Sequence, residues 1–300
     1  MKSNSLQEAT VVAAHGRHYF VELSDASVIK CYTRGKRTGI CVGDVVDISM
    51  QGTDQGAIER IHERRNLLYR SDEMRTKIFA ANIDQLLIVV AAEPPFSEDL
   101  TGRALVAAWT ANIEPLIILN KADLPSVESA RKRLQVLSQL GVDIIELSAL
   151  DTTSTRERLL PYLHDKSTLL LGQSAMGKST LLNALVPDAN ALTQEHSQAL
   201  GAGRHTTTST RLYHVPNSSG KLIDSPGFQA FGLSHLTPSD IVHGFPEFAE
   251  AIAHCRFYNC THRHEPGCGV VSALNAAQIQ PERYALYQRL LSEYEAKSRY

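Results

Sequence analysis

The feature that most limits what this chain can fold into is the order of two nucleotide motifs. The tetrad Asn120-Lys121-Ala122-Asp123 precedes the glycine-rich loop Gly172-Gln173-Ser174-Ala175-Met176-Gly177-Lys178-Ser179-Thr180. An ordinary guanine-nucleotide domain runs the other way. Two motifs that serve one nucleotide must meet in space, so the inversion predicts a circularly permuted domain. Its new ends would lie beyond Asp224 and ahead of Ile83.

The apolar pattern supports a sheet that can host both motifs. From residue 83, apolar runs alternate with helical stretches, as in a parallel sheet covered on both faces. Strands are predicted at Ile83 to Ala91, Pro115 to Asn120, Val142 to Leu147, Thr168 to Leu171, Arg211 to Val215 and Lys221 to Ile223. Helices are predicted at Glu98 to Thr110, Val127 to Leu140, Thr155 to His164 and Lys178 to Leu185. The stretch from Val186 to Thr210 has no apolar period and reads as a mobile loop. Before this region, five short β-branched runs between residues 10 and 62, separated by glycines, predict a small closed antiparallel barrel of OB type. After Leu236 the pattern turns helical. Thr237-Pro238 is a helix start, and Pro281 opens a last helix with the stripe Tyr284, Tyr287, Leu290, Leu291 and Tyr294, read as packing. The expected organisation is multidomain α/β: an OB-fold barrel over 1–70, a circularly permuted P-loop GTPase domain over 71–235 and a zinc-binding helical module over 236–300.

Composition narrows the setting. The net charge of −2 excludes a polycation that coats nucleic acid, so RNA contact must be local. The candidate basic patches are Arg34 to Arg37, Arg60 to Arg70 and Arg256 to His264. Apolar stretches are too short to span a bilayer and the N-terminus lacks a signal-peptide core, so a cytoplasmic protein without a membrane partner is expected.

Each nucleotide motif carries a definite chemistry. The loop Gly172 to Thr180 follows an apolar strand and opens a helix, so its backbone N–H groups can converge on phosphates. Lys178 would neutralise the β and γ phosphates, and the Ser179 hydroxyl would coordinate magnesium bound with GTP. Asp224-Ser225-Pro226-Gly227 suits the second metal element: Asp224 on magnesium, the Gly227 amide on the γ-phosphate. Asp123 can accept from N1–H and the N2 amino group of guanine. Adenine offers neither donor, which disfavours an ATP-dependent kinase. Asn120 would brace the loops, Lys121 and Ala122 would border the base, and Ser148-Ala149 would offer an amide to guanine O6.

Cys255, Cys260, His262 and Cys268 place three thiols and an imidazole within fourteen residues. That donor set suits one closed, structural, tetrahedral zinc ion, with His254 and His264 as alternatives to His262.

These residues together resemble the ribosome small-subunit-dependent GTPase A family of bacteria, whose members are circularly permuted GTPases. The likeness covers nearly the whole chain and includes Gly203-Arg204-His205-Thr206-Thr207-Thr208 and Asp224 to Phe228. It implies a late assembly factor of the small ribosomal subunit, acting on its rRNA beside another assembly factor, with weak GTPase activity that the subunit stimulates. A monomer is expected. Phe228 stands where Ras-like GTPases carry a water-orienting Gln. The resemblance transfers that role to His205, with Gln229 a weaker candidate, and one of Thr206 to Thr208, assigned as Thr207, is expected to close on magnesium. Ala175 and Met176 depart from the Gly and Val usual in the family, and Ala175 restricts the loop backbone. A GTP-gated RNA-binding scaffold with incidental hydrolysis is the alternative reading.

Overall fold

The computed structural model describes residues 6–15, 18–33, 39–71, 76–189, 210–225 and 232–297. The first five strands are β1 (Gln7–His15), β2 (His18–Leu23), β3 (Val28–Thr33), β4 (Val45–Met50) and β5 (Gln55–Ile61). They pair in the order β1-β2-β3-β5-β4 and close through β1–β4. Alternating apolar residues, including Val11, Val21, Val46, Ile48 and Ile58, fill the interior as a separate apolar core. The barrel departs from the all-antiparallel expectation, because β3 and β5 run parallel. The cause is topological: β4 crosses to close on β1, and β5 returns antiparallel to it, alongside β3. A Cβ on Gly56 would stand 2.9 Å from Cys31 Sγ, so β3 and β5 approach only because that position lacks one.

A hairpin that the sequence pattern did not reveal follows: β6 (Leu67–Ser71) and β7 (Thr76–Ala81). It is tied to the barrel. Ala81 donates its N–H to the Val42 carbonyl at 2.9 Å, and Asn82 Nδ2 donates to the Gly43 carbonyl at 2.9 Å. The basic run from Arg60 is largely committed to this joint. Arg60 pairs with Asp47, Arg64 with the fully buried Asp44, and Arg65 with Asp84. Of these, Arg64 is mostly buried while Arg60 and Arg65 stay largely exposed beside their partners, and Arg34 to Arg37 lie outside the described residues.

The α/β region alternates as its pattern predicted. It comprises β8 (Gln85–Ala91), α1 (Glu98–Thr110), β9 (Glu114–Asn120), α2 (Val127–Ser138), β10 (Asp143–Glu146), α3 (Thr152–Leu163), β11 (Ser167–Gly172), α4 (Lys178–Leu185), β12 (Arg211–His214) and β13 (Lys221–Asp224). The spatial order is β10-β9-β8-β11-β13-β12, parallel except for β12. β12 also pairs with β1 of the barrel, Ala13 opposite Arg211, so eleven strands form one continuous sheet.

The C-terminal region consists of α5 (Pro238–His243), a 3-10 turn (Pro246–Phe248), α6 (Ala249–Ile252), α7 (Gly269–Asn275) and α8 (Pro281–Lys297). A capping box between Thr237 and Asp240 starts α5, with Pro at the first turn. Apolar side chains here share one core with the α/β region. Charge pairs fasten α8 to α1: Arg103 donates to both Glu293 oxygens at 2.8 and 2.5 Å, and Arg289 donates to Asp99 at 2.7 Å. Arg283, 3% exposed, pairs with Glu247 and lies over the Trp109 and Phe245 rings. Among the described residues no helix is long and apolar enough to cross a membrane.

Candidate functional site

Strand ends of the parallel sheet gather the motifs. β9 ends in Asn120, β11 in Gly172 and β13 in Asp224, while the chain leaving β10 reaches Ser148. In open parallel sheets the carboxyl ends of the strands are where loops converge on a ligand. Spatial neighbours in such a sheet need not be neighbours in sequence, and this allows the inverted order.

One side chain joins the two motifs. Asn120, 2% exposed, accepts from the Ala149 N–H at 2.9 Å and donates from Nδ2 to the Met176 carbonyl at 2.9 Å. The tetrad, the Ser148-Ala149 turn and the glycine-rich loop therefore share one amide. Gly177, at φ +88°, is required here, since a Cβ would overlap Asn120 Nδ2. Lys121 Nζ donates to the Glu93 carbonyl at 2.7 Å, and the Ala122 N–H reaches the Leu147 carbonyl at 3.1 Å. A cavity of about 190 Å³ opens beside this bracing, with Lys121, Asp123, Leu124, Ser148, Leu150 and Thr180 on its walls. Asp123 is exposed, and Leu150 is 78% exposed at the rim, an apolar side chain that sequence reasoning missed.

The glycine-rich loop is shaped by residues at its unconstrained positions. Gln173 Oε1 accepts the Ser97 N–H at 2.7 Å, so this side chain ties the loop to the N-cap of α1. Met176 is 2% exposed and belongs to the core. Ala175 adopts φ +66°, the left-handed region where an alanine is strained by about 1–2 kcal/mol, as its departure from glycine suggested. Ser174, Ser179 and Thr180 are exposed.

Beneath the loop, Lys178 Nζ donates to Asp224 Oδ1. Both are buried, at 9% and 4% exposure. A buried ammonium facing a buried carboxylate leaves each charge matched. Ser225 Oγ holds the strand end by donating to the Leu170 carbonyl at 3.0 Å. His205, Thr206 to Thr208, Gly227, Phe228 and Gln229 lie outside the described residues.

A second cluster forms in the C-terminal region. Ligand atoms of Cys255, Cys260, His262 and Cys268 all lie within 4.8 Å of one another, a group that could hold a metal ion. His262 Nδ1 stands 3.5 Å from Cys255 Sγ and 3.7 Å from Cys268 Sγ. Backbone N–H groups of Gly269 and Val271 point at the Cys255 and Cys268 sulfurs at 3.3 and 3.5 Å, as suits thiolates. Desolvation, with the Cys268 and Cys255 sulfurs adding, pushes the Cys260 thiol up to about 12. Burial holds His262 below its ordinary value, which favours the neutral imidazole.

The tyrosine stripe of α8 does more than pack. Tyr284 donates its hydroxyl to the His262 carbonyl at 2.8 Å, and Tyr287 donates to the Thr261 carbonyl at 2.9 Å. Glu265 accepts the N–H groups of Thr261, Arg263 and His264 and the Thr261 hydroxyl; desolvation opposes, but the Thr261 hydroxyl and the backbone N–H groups hold its carboxyl far below the usual range. These bonds explain how His262 is held at φ +57°.

Comparison with known proteins agrees with this geometry. The family model described as RsgA GTPase matches residues 61–234. A protein of Bordetella pertussis named small ribosomal subunit biogenesis GTPase RsgA is 63% identical over 99% of this chain and 100% of its own length. Among solved structures, YjeQ from Thermotoga maritima superposes with a TM-score of 0.74 at 30% identity, covering 97% of this chain and 99% of that one. YloQ, described as a circularly permuted GTPase, superposes with a TM-score of 0.72 at 26% identity, covering 99% and 98%.

Proposed function

The chain belongs to the RsgA GTPase family, and on that premise we propose that it hydrolyses GTP in the service of small ribosomal subunit maturation, accelerated by the subunit itself. The observation that carries the reading is the Asn120 amide, which joins the tetrad, the Ser148-Ala149 turn and the glycine-rich loop despite their inverted order. In this reading Asp123 pairs with the guanine N1–H and N2 groups, Lys121 and Ala122 border the base, and Ser148-Ala149 faces O6.

The loop from Gly172 to Thr180 cradles the phosphates with backbone N–H groups. Lys178 would take the β and γ phosphates, and Asp224, Ser179 and Thr207 would hold the magnesium ion. Magnesium would supply charge neutralisation at the transferring phosphate. Gly227 contributes its amide to the γ-phosphate, and His205 orients the attacking water, a role that Phe228 cannot fill.

Zinc is the metal we assign to Cys255, Cys260, His262 and Cys268, because three sulfurs and one nitrogen within 4.8 Å of one another are the donor set of a structural zinc site. With four protein ligands the ion would hold structure. The partner is the rRNA of the small subunit, met by a monomer in the cytoplasm. Direct nucleotide competition tests the base assignment: GDP displaces a fluorescent guanine nucleotide, and ADP at the same concentration does not. Equal displacement by ADP would refute it.

A further inference from the structure

The knuckle between Cys255 and Cys260 presents Phe257 and Tyr258, and nothing in the fold accounts for their exposure. Tyr258 is 103% exposed and Phe257 is 40% exposed, whereas the other aromatic rings among the described residues are buried or half-buried. Their backbone is held. Arg256 donates its N–H to the Gly267 carbonyl at 2.9 Å, and Cys260 donates to the Phe257 carbonyl at 3.3 Å. The Arg256 guanidinium lies over the Phe257 ring at 5.4 Å. Such a ring pair on a braced turn loses little conformational freedom when another flat group lies on it.

Charge selects the partner. From residue 253 to 264 the chain has no Asp or Glu, and it exposes His254, Arg256 and His264, while Arg263 is paired with Glu295. Glu265, the next carboxylate, is turned inward onto the N–H groups of the loop. An exposed aromatic ring two residues from the exposed Arg256, in a turn that carries no carboxylate of its own, suits a polyanion that carries flat bases. Base-to-aromatic stacking tolerates any sequence, because every base has a π-face, and the adjacent arginine can meet a phosphate.

We propose that Tyr258, flanked by Phe257 and Arg256, is a stacking platform for an unpaired base in single-stranded RNA. The proposal rests on the ribosomal reading above for its biological setting, and its test is independent of that setting. The measurement is fluorescence anisotropy of the full chain with a 12-nucleotide adenosine tract, and with the same tract made abasic, at fixed salt. Tyr258→Ala is expected to weaken binding to the adenosine tract by about 5- to 150-fold, the range of one stacked base. Tyr258→Phe, which keeps the ring, should retain affinity. Neither variant should alter binding of the abasic tract, guanine-nucleotide affinity or metal content.

Unchanged affinity of Tyr258→Ala for the adenosine tract overturns the platform. So does an equal loss on the abasic tract, which would assign the effect to the backbone. If Tyr258→Ala leaves RNA binding intact yet weakens binding to small ribosomal subunits, the surface meets a protein and the proposal falls. Failure of small subunits to bind or accelerate the wild-type enzyme would instead remove the ribosomal reading and leave the stacking result standing.

Discussion

Asn120 Nδ2 donates to the Met176 carbonyl at 2.9 Å, so the first residue of the tetrad holds the glycine-rich loop. Replacing it with alanine removes this bond and the one from Ala149, leaving two backbone groups unpaired. At roughly 1–3 kcal/mol for each unpaired group, GDP affinity should fall by at least about tenfold. Gly177→Ala should be worse, since its Cβ enters the Asn120 amide at a φ of +88°. Calorimetric titration with GDP checks both, and wild-type affinity in Asn120→Ala would show that the brace is dispensable.

Asp123→Asn should change which base is bound. The carboxylate accepts from the N2 amino group of guanine, whereas an amide can donate to the O2 oxygen that xanthine carries there. The variant is expected to lose GDP and gain xanthosine diphosphate by about tenfold or more, as hydrogen bonds to a charged group are worth roughly 1.5–3 kcal/mol. Competition between the two nucleotides reads the switch, and unaltered preference removes Asp123 from the base site.

Much of this site was legible before the fold, for a local reason. The glycine-rich loop, the tetrad and the four metal-type ligands are short motifs whose chemistry demands particular residues at fixed spacing. The alternating strands and helices from residue 83 were legible because buried parallel strands are uniformly apolar. What escaped depends on distant partners. The hairpin of β6 and β7 has no clean alternation and is defined by docking on Val42 and Gly43. The parallel pairing of β3 and β5 follows from barrel closure, which no local pattern reports. Tyr284 and Tyr287 looked like packing because helical spacing says nothing of where a hydroxyl ends. The ion pairs of Arg60, Arg64 and Arg65 were not legible because their acidic partners lie 13 to 20 residues away.

The latch between α1 and α8 should respond to acid. Asp99 is penalised by burial, yet hydrogen bonds from Arg103 and Arg289 outweigh that and lower its carboxyl below the ordinary value. A carboxylate depressed in the folded state contributes stability that is full above its unfolded value of about 3.9 and is lost as pH falls through the folded one. Asp99→Asn should therefore lower Tm near pH 7 and flatten the fall in Tm below about pH 4. Thermal melts between pH 2 and 7 decide; parallel acid limbs for variant and wild type would exclude this group.

Tyr287→Phe should loosen the metal cluster without touching a ligand. It deletes the bond to the Thr261 carbonyl, which holds the turn that carries His262. Loss of such a supporting bond should weaken zinc by about 10- to 100-fold, read by competition with a chromophoric chelator. Purified wild-type protein should carry one zinc per chain, and unchanged zinc affinity in Tyr287→Phe would show the tyrosine to be packing alone.

The decisive measurement is GTP turnover with and without small ribosomal subunits, for wild type and His205→Ala. Wild-type turnover should be slow alone and rise by at least about a hundredfold with subunits, since supplying a missing catalytic group to a nucleotide site is worth 10³–10⁵ in the best-studied cases. His205→Ala should bind GTP normally and lose that acceleration. A wild-type enzyme that binds GTP and small subunits yet turns over no faster in their presence would contradict a subunit-activated hydrolase and describe a nucleotide-gated scaffold instead.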